Sequence, residues 1–100
     1  DARSYLLRIY YEVGNDIGME SMVDSFRLYI KRHKHLAEKR LTRYKDFVRC
    51  FRRLIVLTPG NFRQAKALEE RILATIPGTA RDWLMEKLSG FLPNGEPGTS

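Results

Sequence analysis

The sequence predicts an all-α fold of about five helices, arranged as an antiparallel bundle or as a short helical-hairpin array. Apolar residues recur at three- and four-residue steps in five separate segments, which is the spacing of one face of a helix. No segment between turn signals alternates apolar and polar residues as a half-buried strand does. Glycine, proline and asparagine interrupt the apolar pattern between the segments, and the short loops that they indicate favour antiparallel neighbours.

The first helix is predicted over residues 2–13. Its apolar residues cover most of the circumference, so we expect it to pack on more than one side or to continue from an N-terminal neighbour. Gly14 and Asn15 end it, because both accept a positive φ at low cost. The apolar residues are Leu6, Leu7, Ile9, Tyr10 and Val13.

The second helix is predicted over residues 19–32, after a loop that ends near Gly18. Ser21 followed by Asp24 is a variant of the capping box, with Asp in place of Glu or Gln. A basic run from Lys31 to His35 follows, and positive charge is favourable at a helix C-terminus. The apolar stripe consists of Met22, Val23, Phe26, Tyr29 and Ile30.

The third helix, over residues 37–57, is the element around which we expect the fold to form. It is predicted to be two-sided, with aromatic and aliphatic residues towards a core and cations towards the outside. The core stripe is Ala37, Leu41, Tyr44, Phe47, Val48, Phe51, Leu54 and Ile55. The cations on the flanks and the far side are Lys39, Arg43, Lys45, Arg49, Arg52 and Arg53.

The fourth helix is predicted over residues 62–76. Pro59 ends the preceding helix, since it lacks a backbone donor and disfavours helix in the residue before it. Asn61 with Gln64 then offers an N-terminal cap. The stripe is Ala65, Leu68, Ile72 and Ile76, with Ala67 and Leu73 at its edges.

The fifth helix is predicted over residues 80–91, after a break at Pro77 and Gly78, with Thr79 and Asp82 as its cap. We expect one helical domain over residues 1–92 and a flexible tail over 93–100, because the chain has 100 residues and its end is rich in turn formers. Since it begins at an aspartate and not at a methionine, we also expect it to be a processed form or a piece of a larger protein.

Positive charge is concentrated in the middle of the chain. Eighteen Lys and Arg face twelve Asp and Glu, a net charge of +6, and ten of the eighteen lie between residues 31 and 53, opposed there only by Glu38 and Asp46. A cationic helix can neutralise several phosphates of a nucleic acid. Alternatively the face is merely solvated and forms local ion pairs such as Asp46–Arg49 and Lys66–Glu70. We favour the second interpretation.

For the histidines, the cysteine and the aromatic residues, the sequence favours structural roles over chemical ones. His33 and His35 are interpreted as a surface pair, since residues two apart on a helix diverge and no Cys or carboxylate cluster is near in sequence. In an extended segment they would share a face, which leaves a metal site as the less favoured alternative. Cys50, the single cysteine, excludes an internal disulfide, and we interpret it as a half-buried thiol on the helix flank. The aromatic residues follow helical spacing and are assigned to the core, not to base stacking. Trp83 would be an interface anchor if it were exposed.

Several function classes are not expected. No glycine-rich phosphate loop, catalytic triad order or metal-ligand spacing is present, so we predict no enzyme activity, cofactor, metal or small-molecule substrate. No apolar run approaches the roughly 18 residues of a membrane span, and no signal-peptide pattern opens the chain. We therefore expect a cytoplasmic protein without a membrane partner.

Two segments resemble tetratricopeptide-like helical hairpins. Tyr10-Tyr11-Glu12-Val13-Gly14 resembles the end of that repeat's first helix, and Gly60-Asn61-Phe62-Arg63-Gln64-Ala65, followed by Leu68 and Ala74, resembles its turn and second helix. The two glycines are 46 residues apart, against about 34 in the family, and Met22 stands where the family has Ala. The resemblance implies a protein-interaction scaffold.

A second resemblance is to the helical core-binding domain of tyrosine recombinases, which implies DNA binding. It is carried by Phe26-Arg27-Leu28-Tyr29-Ile30, Leu36, Leu41-Thr42-Arg43-Tyr44, Phe47 and Phe51. The long third helix, followed by Trp83-Leu84-Met85-Glu86-Lys87, is also similar to uncharacterised helical proteins of bacteria.

The leading hypothesis is a non-enzymatic helical module, part of a larger bacterial protein, that packs against another protein or a second copy of itself. Its candidate interface residues are Tyr5, Ile9 and Trp83. The alternative is a nucleic-acid-binding domain. Its candidate polyanion-binding residues are the six cations of the third helix, Lys39, Arg43, Lys45, Arg49, Arg52 and Arg53.

Overall fold

A computed structural model describes residues 2–33 and 35–93 of the chain. Over these residues it contains five α-helices and one short 3-10 helix, and no strand, so the predicted all-α class and the five helices are confirmed. Residues 94–100, which form most of the predicted tail, lie outside the described residues. The helices are α1 (Ala2–Glu12), α2 (Asp16–Arg32), α3 (Glu38–Ile55), α4 (Phe62–Thr75) and α5 (Gly78–Leu88), with the 3-10 helix at Ser89–Phe91.

The chain divides into two compact units, and the division falls inside α3, between Val48 and Arg49. The first unit contains α1, α2 and the N-terminal part of α3. The second contains the C-terminal part of α3, followed by α4 and α5. The single domain expected over residues 1–92 stays a prediction.

In the first unit, α1 packs against α2. Leu7 is the fully buried residue of α1, and one face of α2 is buried at the three- and four-residue steps of a helix. The N-terminal part of α3 joins this core through Tyr44, whose ring meets Phe26 edge-on with centroids 5.3 Å apart. The buried residues of α2 are Met19, Val23, Phe26 and Ile30.

In the second unit, α4 packs against α5. The stripe predicted for α4 is buried in full, from Ala65 to Ile76, and Leu73 at its edge is exposed. Leu84 and Leu88 of α5 are buried as well. The predicted cap is present at the start of α4, where the side chain of Asn61 accepts a hydrogen bond of 3.2 Å from the backbone N–H of Gln64.

Helix α2 begins three residues earlier than the sequence predicts, at Asp16. The side-chain oxygen of Asn15 accepts a hydrogen bond of 2.9 Å from the backbone N–H of Gly18, so Asn15 is the N-cap. The predicted capping box of Ser21 and Asp24 is wrong, because both residues lie inside the helix. Gly14, with a φ of 71°, makes the tight turn that leaves room for this early start.

Helix α5 also begins earlier than predicted, at Gly78, and its N-cap residue is Pro77, which makes no side-chain cap hydrogen bond. Thr79 and Asp82 are therefore helical residues, and the predicted cap is wrong. Gly78 has a φ of 68°, a conformation that glycine adopts without strain. The glycine at which the sequence predicts a break is thus the residue at which the helix starts.

Helix α3 is two-sided, as predicted. Phe47, Val48, Phe51 and Leu54 are buried, while Leu41, Tyr44 and Ile55 are half-buried. The prediction that Ala37 belongs to the buried stripe is wrong, because Ala37 precedes the first helical residue and is exposed. It accepts the first backbone hydrogen bond of the helix, from Leu41 N–H at 3.1 Å, so its place at the helix end removes it from the stripe.

Candidate binding surfaces

The cations of α3 are exposed. This holds for all six residues predicted to bind a polyanion and for Arg40 beside them. Arg40 and Arg43 are exposed although they lie four residues before Tyr44 and Phe47, on the side of the helix that carries the buried stripe. Within the first unit, Lys39 and Arg43 are four residues apart and so lie on neighbouring turns of one side. Within the second unit, Arg49 and Arg53 are also four residues apart and lie on neighbouring turns of one side. The exposed cations are Lys39, Arg40, Arg43, Lys45, Arg49, Arg52 and Arg53.

None of these seven cations forms an ion pair with an acid among the residues that the structure describes. Among these residues, local ion pairs therefore do not neutralise the positive charge of α3. The predicted ion pair between Asp46 and Arg49 is absent there. The ion pair predicted for Lys66 forms with Glu69 instead of Glu70, at 2.7 Å. The hydrogen bond within this ion pair and the negative charge of Glu69 raise the pKa of Lys66 above its usual value.

A set of exposed apolar side chains, which we name the apolar face, lies on α1 and at the start of α2. Tyr5 and Ile9, both predicted interface residues, are 58% and 53% exposed. Tyr5 and Ile9 follow the four-residue step and share one side of α1. Val13 follows the end of α1, but its backbone N–H still donates to the Ile9 carbonyl at 3.0 Å, so it continues the same side. The expectation that α1 packs on more than one side is not met within the described part of the chain. The apolar face consists of Tyr5, Leu6, Ile9, Val13 and Ile17.

The third predicted interface residue, Trp83, is half-buried. Its ring stacks on Phe51, with centroids 6.1 Å apart and planes 12° from parallel. The ammonium group of Lys87 lies 5.9 Å from its ring centroid, a cation–π contact that covers part of the indole. Trp83 is therefore only partly exposed, and the condition under which it was predicted to be an interface anchor is only partly met.

Aromatic rings from both sides of the loop between α2 and α3 form a second cluster, which we name the ring cluster. His33 stacks on Tyr29 with centroids 4.0 Å apart, and the His33 and His35 rings are 5.5 Å apart. Tyr29 also meets Tyr44 of α3 at 6.2 Å. The ring cluster is thus Tyr29, His33, His35 and Tyr44.

His33 is more than a surface residue. Its Nδ1 lies 2.9 Å from the carbonyl oxygen of Tyr29, and because a carbonyl can only accept, Nδ1 is the donor in this hydrogen bond. The backbone N–H of His33 donates to the same oxygen at 3.0 Å. The residue therefore closes the C-terminal end of α2 and has a fixed ring orientation.

Cys50 is fully buried, with no exposed surface, and the predicted half-buried position on the helix flank is wrong. It lies three residues after Phe47 and four before Leu54, so it shares their side of the helix. A small apolar thiol fits such a position.

Other classes of site are not found among the described residues. They contain no group of three or more His, Cys, Asp or Glu side chains that could hold a metal ion. None of the described helices has both the length and the apolar content that crossing a membrane requires.

The chain was compared with protein families, curated proteins and solved structures. No protein-family model, no curated protein and no solved structure matches this chain. The resemblances to tetratricopeptide-like hairpins and to tyrosine-recombinase core-binding domains therefore stay predictions.

Two features of these surfaces do not follow from the sequence interpretation. That interpretation places Ile17 in a loop, whereas it lies in the first turn of α2; Asn15, a favoured N-cap residue, carries the signal of this earlier helix start. The ring cluster joins Tyr44 to residues 9 to 15 positions away in the chain, and spacing within one helix gives no signal of such a contact.

Proposed function

We propose that this chain is a non-enzymatic helical module that assembles with a second copy of itself through the apolar face. The proposal is supported by one observation: five apolar side chains, from Tyr5 to Ile17, are between 39% and 83% exposed. Exposed apolar side chains gathered on one side of a protein are typical of interaction surfaces. A cytoplasmic location, which the single reduced cysteine favours, is part of the same proposal.

Charge favours a second copy over a basic or acidic partner. The sequence of α1 contains two cations, Arg3 and Arg8, and one anion, Glu12, against the seven exposed cations of α3. Two such helix faces can meet without bringing like charges together in excess, whereas the cationic side of α3 would repel its own copy. An antiparallel pair of α1 helices would place Tyr5 of one copy opposite Val13 of the other.

Sedimentation equilibrium over a wide concentration range tests this proposal. We expect a monomer–dimer equilibrium that Ile9→Glu shifts to the monomer, with the far-UV circular dichroism unchanged because the side chain is already exposed. Leu73→Glu is the matched control, since Leu73 is 49% exposed on α4 and outside the apolar face. A strict monomer at every concentration would exclude self-association and leave a different protein as the partner.

A second candidate function, nucleic-acid binding, is favoured by a separate observation, the seven exposed cations of α3 that lack an ion pair with any described acid. Cations that are not paired within the protein can displace counterions from phosphates, which makes affinity depend steeply on salt. This candidate is compatible with self-association, because the α1 and α3 surfaces use different residues.

Fluorescence anisotropy titrations with duplex DNA at several salt concentrations test the second candidate. We expect the triple variant Arg49→Ala, Arg52→Ala, Arg53→Ala to flatten the salt dependence, by about 0.9 in the logarithmic slope for each phosphate that the protein no longer neutralises. The control removes three exposed cations elsewhere, with Arg27→Ala, Arg63→Ala and Lys66→Ala. Equal effects of both triples would indicate attraction by net charge alone, and no binding at about 50 mM salt would exclude the candidate.

A further inference from the structure

The ring cluster presents partly exposed aromatic rings at the loop between α2 and α3. His35 is exposed, and Tyr29, His33 and Tyr44 are half-buried. Their centroids follow one another at 6.2, 4.0 and 5.5 Å, from Tyr44 through Tyr29 and His33 to His35. Packing against Phe26 holds Tyr44, and the hydrogen bond to the Tyr29 carbonyl holds His33. Tyr44 and His33 are therefore held in place before any ligand arrives.

Exposed cations flank this cluster on both helices. Arg32 lies three residues after Tyr29 on α2, and Arg40 lies four residues before Tyr44 on α3. These steps place each arginine on the same side of its helix as the ring. Across residues 29–44 the acid is Glu38, at the first turn of α3. Further exposed cations of the same two helices are Lys31, Lys39 and Arg43.

We propose that the ring cluster binds unpaired bases of single-stranded nucleic acid, while the flanking cations contact its phosphates. This inference rests on the second candidate function and narrows its ligand from nucleic acid in general to single strands. Bases stack on aromatic side chains, histidine included, when they are not already stacked within a duplex. A basic surface that carries ordered rings is the arrangement that non-specific single-strand binders use.

A purely structural role accounts for only part of the cluster. Contacts between α2 and α3 explain Tyr29 and Tyr44, whose rings meet across the two helices. They do not require a ring at position 35, which is exposed and lies in the loop beyond the end of α2. Its ring contacts His33 at 5.5 Å and takes no part in the contact between Tyr29 and Tyr44. His35 is therefore the residue of the cluster whose replacement tests stacking on a ligand with the least disturbance of the packing between α2 and α3.

Three labelled ligands distinguish base stacking from charge attraction. We would titrate the full chain, by anisotropy at about 50 mM salt, into oligothymidylate of about 15 nucleotides, near the upper end of known single-strand site sizes. The second ligand is an abasic oligomer of equal length, which keeps the phosphates and lacks the bases. The third is a duplex of the same length. We expect the tightest binding to oligothymidylate.

His35→Ala should weaken binding to oligothymidylate by about 5- to 150-fold, the range for removal of one base–aromatic stack, and leave the affinity for the abasic oligomer unchanged. His35→Tyr keeps a ring and should retain binding. Arg63→Ala, which removes an exposed cation of α4, is the control. Because His35 is exposed, the variants should keep the circular dichroism of the parent chain.

The outcomes separate this inference from the function on which it rests. Equal affinity for all three ligands, with no effect of His35→Ala, would overturn the single-strand proposal and leave general nucleic-acid binding standing. A fall in affinity for the abasic oligomer equal to that for oligothymidylate would overturn it too, since the histidine would then act on phosphates. No binding to any ligand would overturn both proposals.

Discussion

Phe51 and Trp83 stack nearly parallel in the second unit, with centroids 6.1 Å apart and an angle of 12° between their planes. Phe51 is fully buried, and its stacking with the half-buried indole joins the C-terminal part of α3 to α5. Because Trp83 is the single tryptophan of the chain, its fluorescence reports on this stacking.

Phe51→Ala is expected to lower the free energy of unfolding by about 3 to 5 kcal/mol, because it removes a buried ring and leaves a cavity. Urea denaturation followed by circular dichroism measures the decrease. Phe62→Ala is the control, since Phe62 is 47% exposed at the start of α4 and should cost less than about 1 kcal/mol. Similar decreases in the two variants would mean that Phe51 is not central to the core.

The predicted single domain can be tested with two probes of unfolding. Trp83 fluorescence follows the second unit, whereas far-UV circular dichroism follows the helices of both units. If residues 1–92 form one cooperative domain, the two denaturation curves should coincide. A circular-dichroism transition that begins while the fluorescence is still native would show that the units unfold separately.

Asn15→Ala is expected to destabilise the protein by about 0.5 to 2 kcal/mol, because it removes the side-chain oxygen that caps α2. The matched control is Ser21→Ala, at the position that the sequence pattern indicates as the cap and that lies within the helix. That control should change stability by less than about 0.5 kcal/mol. A larger destabilisation by Ser21→Ala than by Asn15→Ala would contradict the cap at Asn15 and favour a helix that starts near residue 19, as the sequence predicts.

Gly18→Ala is expected to destabilise the protein, although alanine gains about 1 kcal/mol over glycine within a helix. A Cβ at position 18 would lie 2.8 Å from the Nδ2 of Asn15 and 2.9 Å from the Cδ1 of Tyr10. The cap and the packing of Tyr10 must both shift to admit it. Thermal denaturation compared with the parent chain measures the net effect.

Gly90→Ala provides the control for that variant. A Cβ at position 90 would meet no atom within 4 Å, and Gly90 is not among the glycines with positive φ. It should be neutral or slightly stabilising, since alanine restricts the unfolded chain. If Gly18→Ala proved as stabilising as this control, the close approach of Asn15 and Tyr10 to Gly18 would be refuted.

The sequence by itself determined the helical class, the number of helices and the two-sided character of α3. These follow from local physics: the step between apolar residues decides which side of a helix can be buried, as Phe47 and Phe51 show. It also identified the cap at Asn61, because a cap acts on a backbone N–H only three residues away.

Tertiary structure decided which apolar surfaces stay exposed and which rings meet. A residue such as Ile9 has the same local pattern as Leu7, and only the position of α2 buries one and exposes the other. The contact of Tyr29 with Tyr44 likewise depends on how the loop brings two helices together. Helix periodicity determines the direction of a side chain, but burial depends on which neighbour occupies that direction.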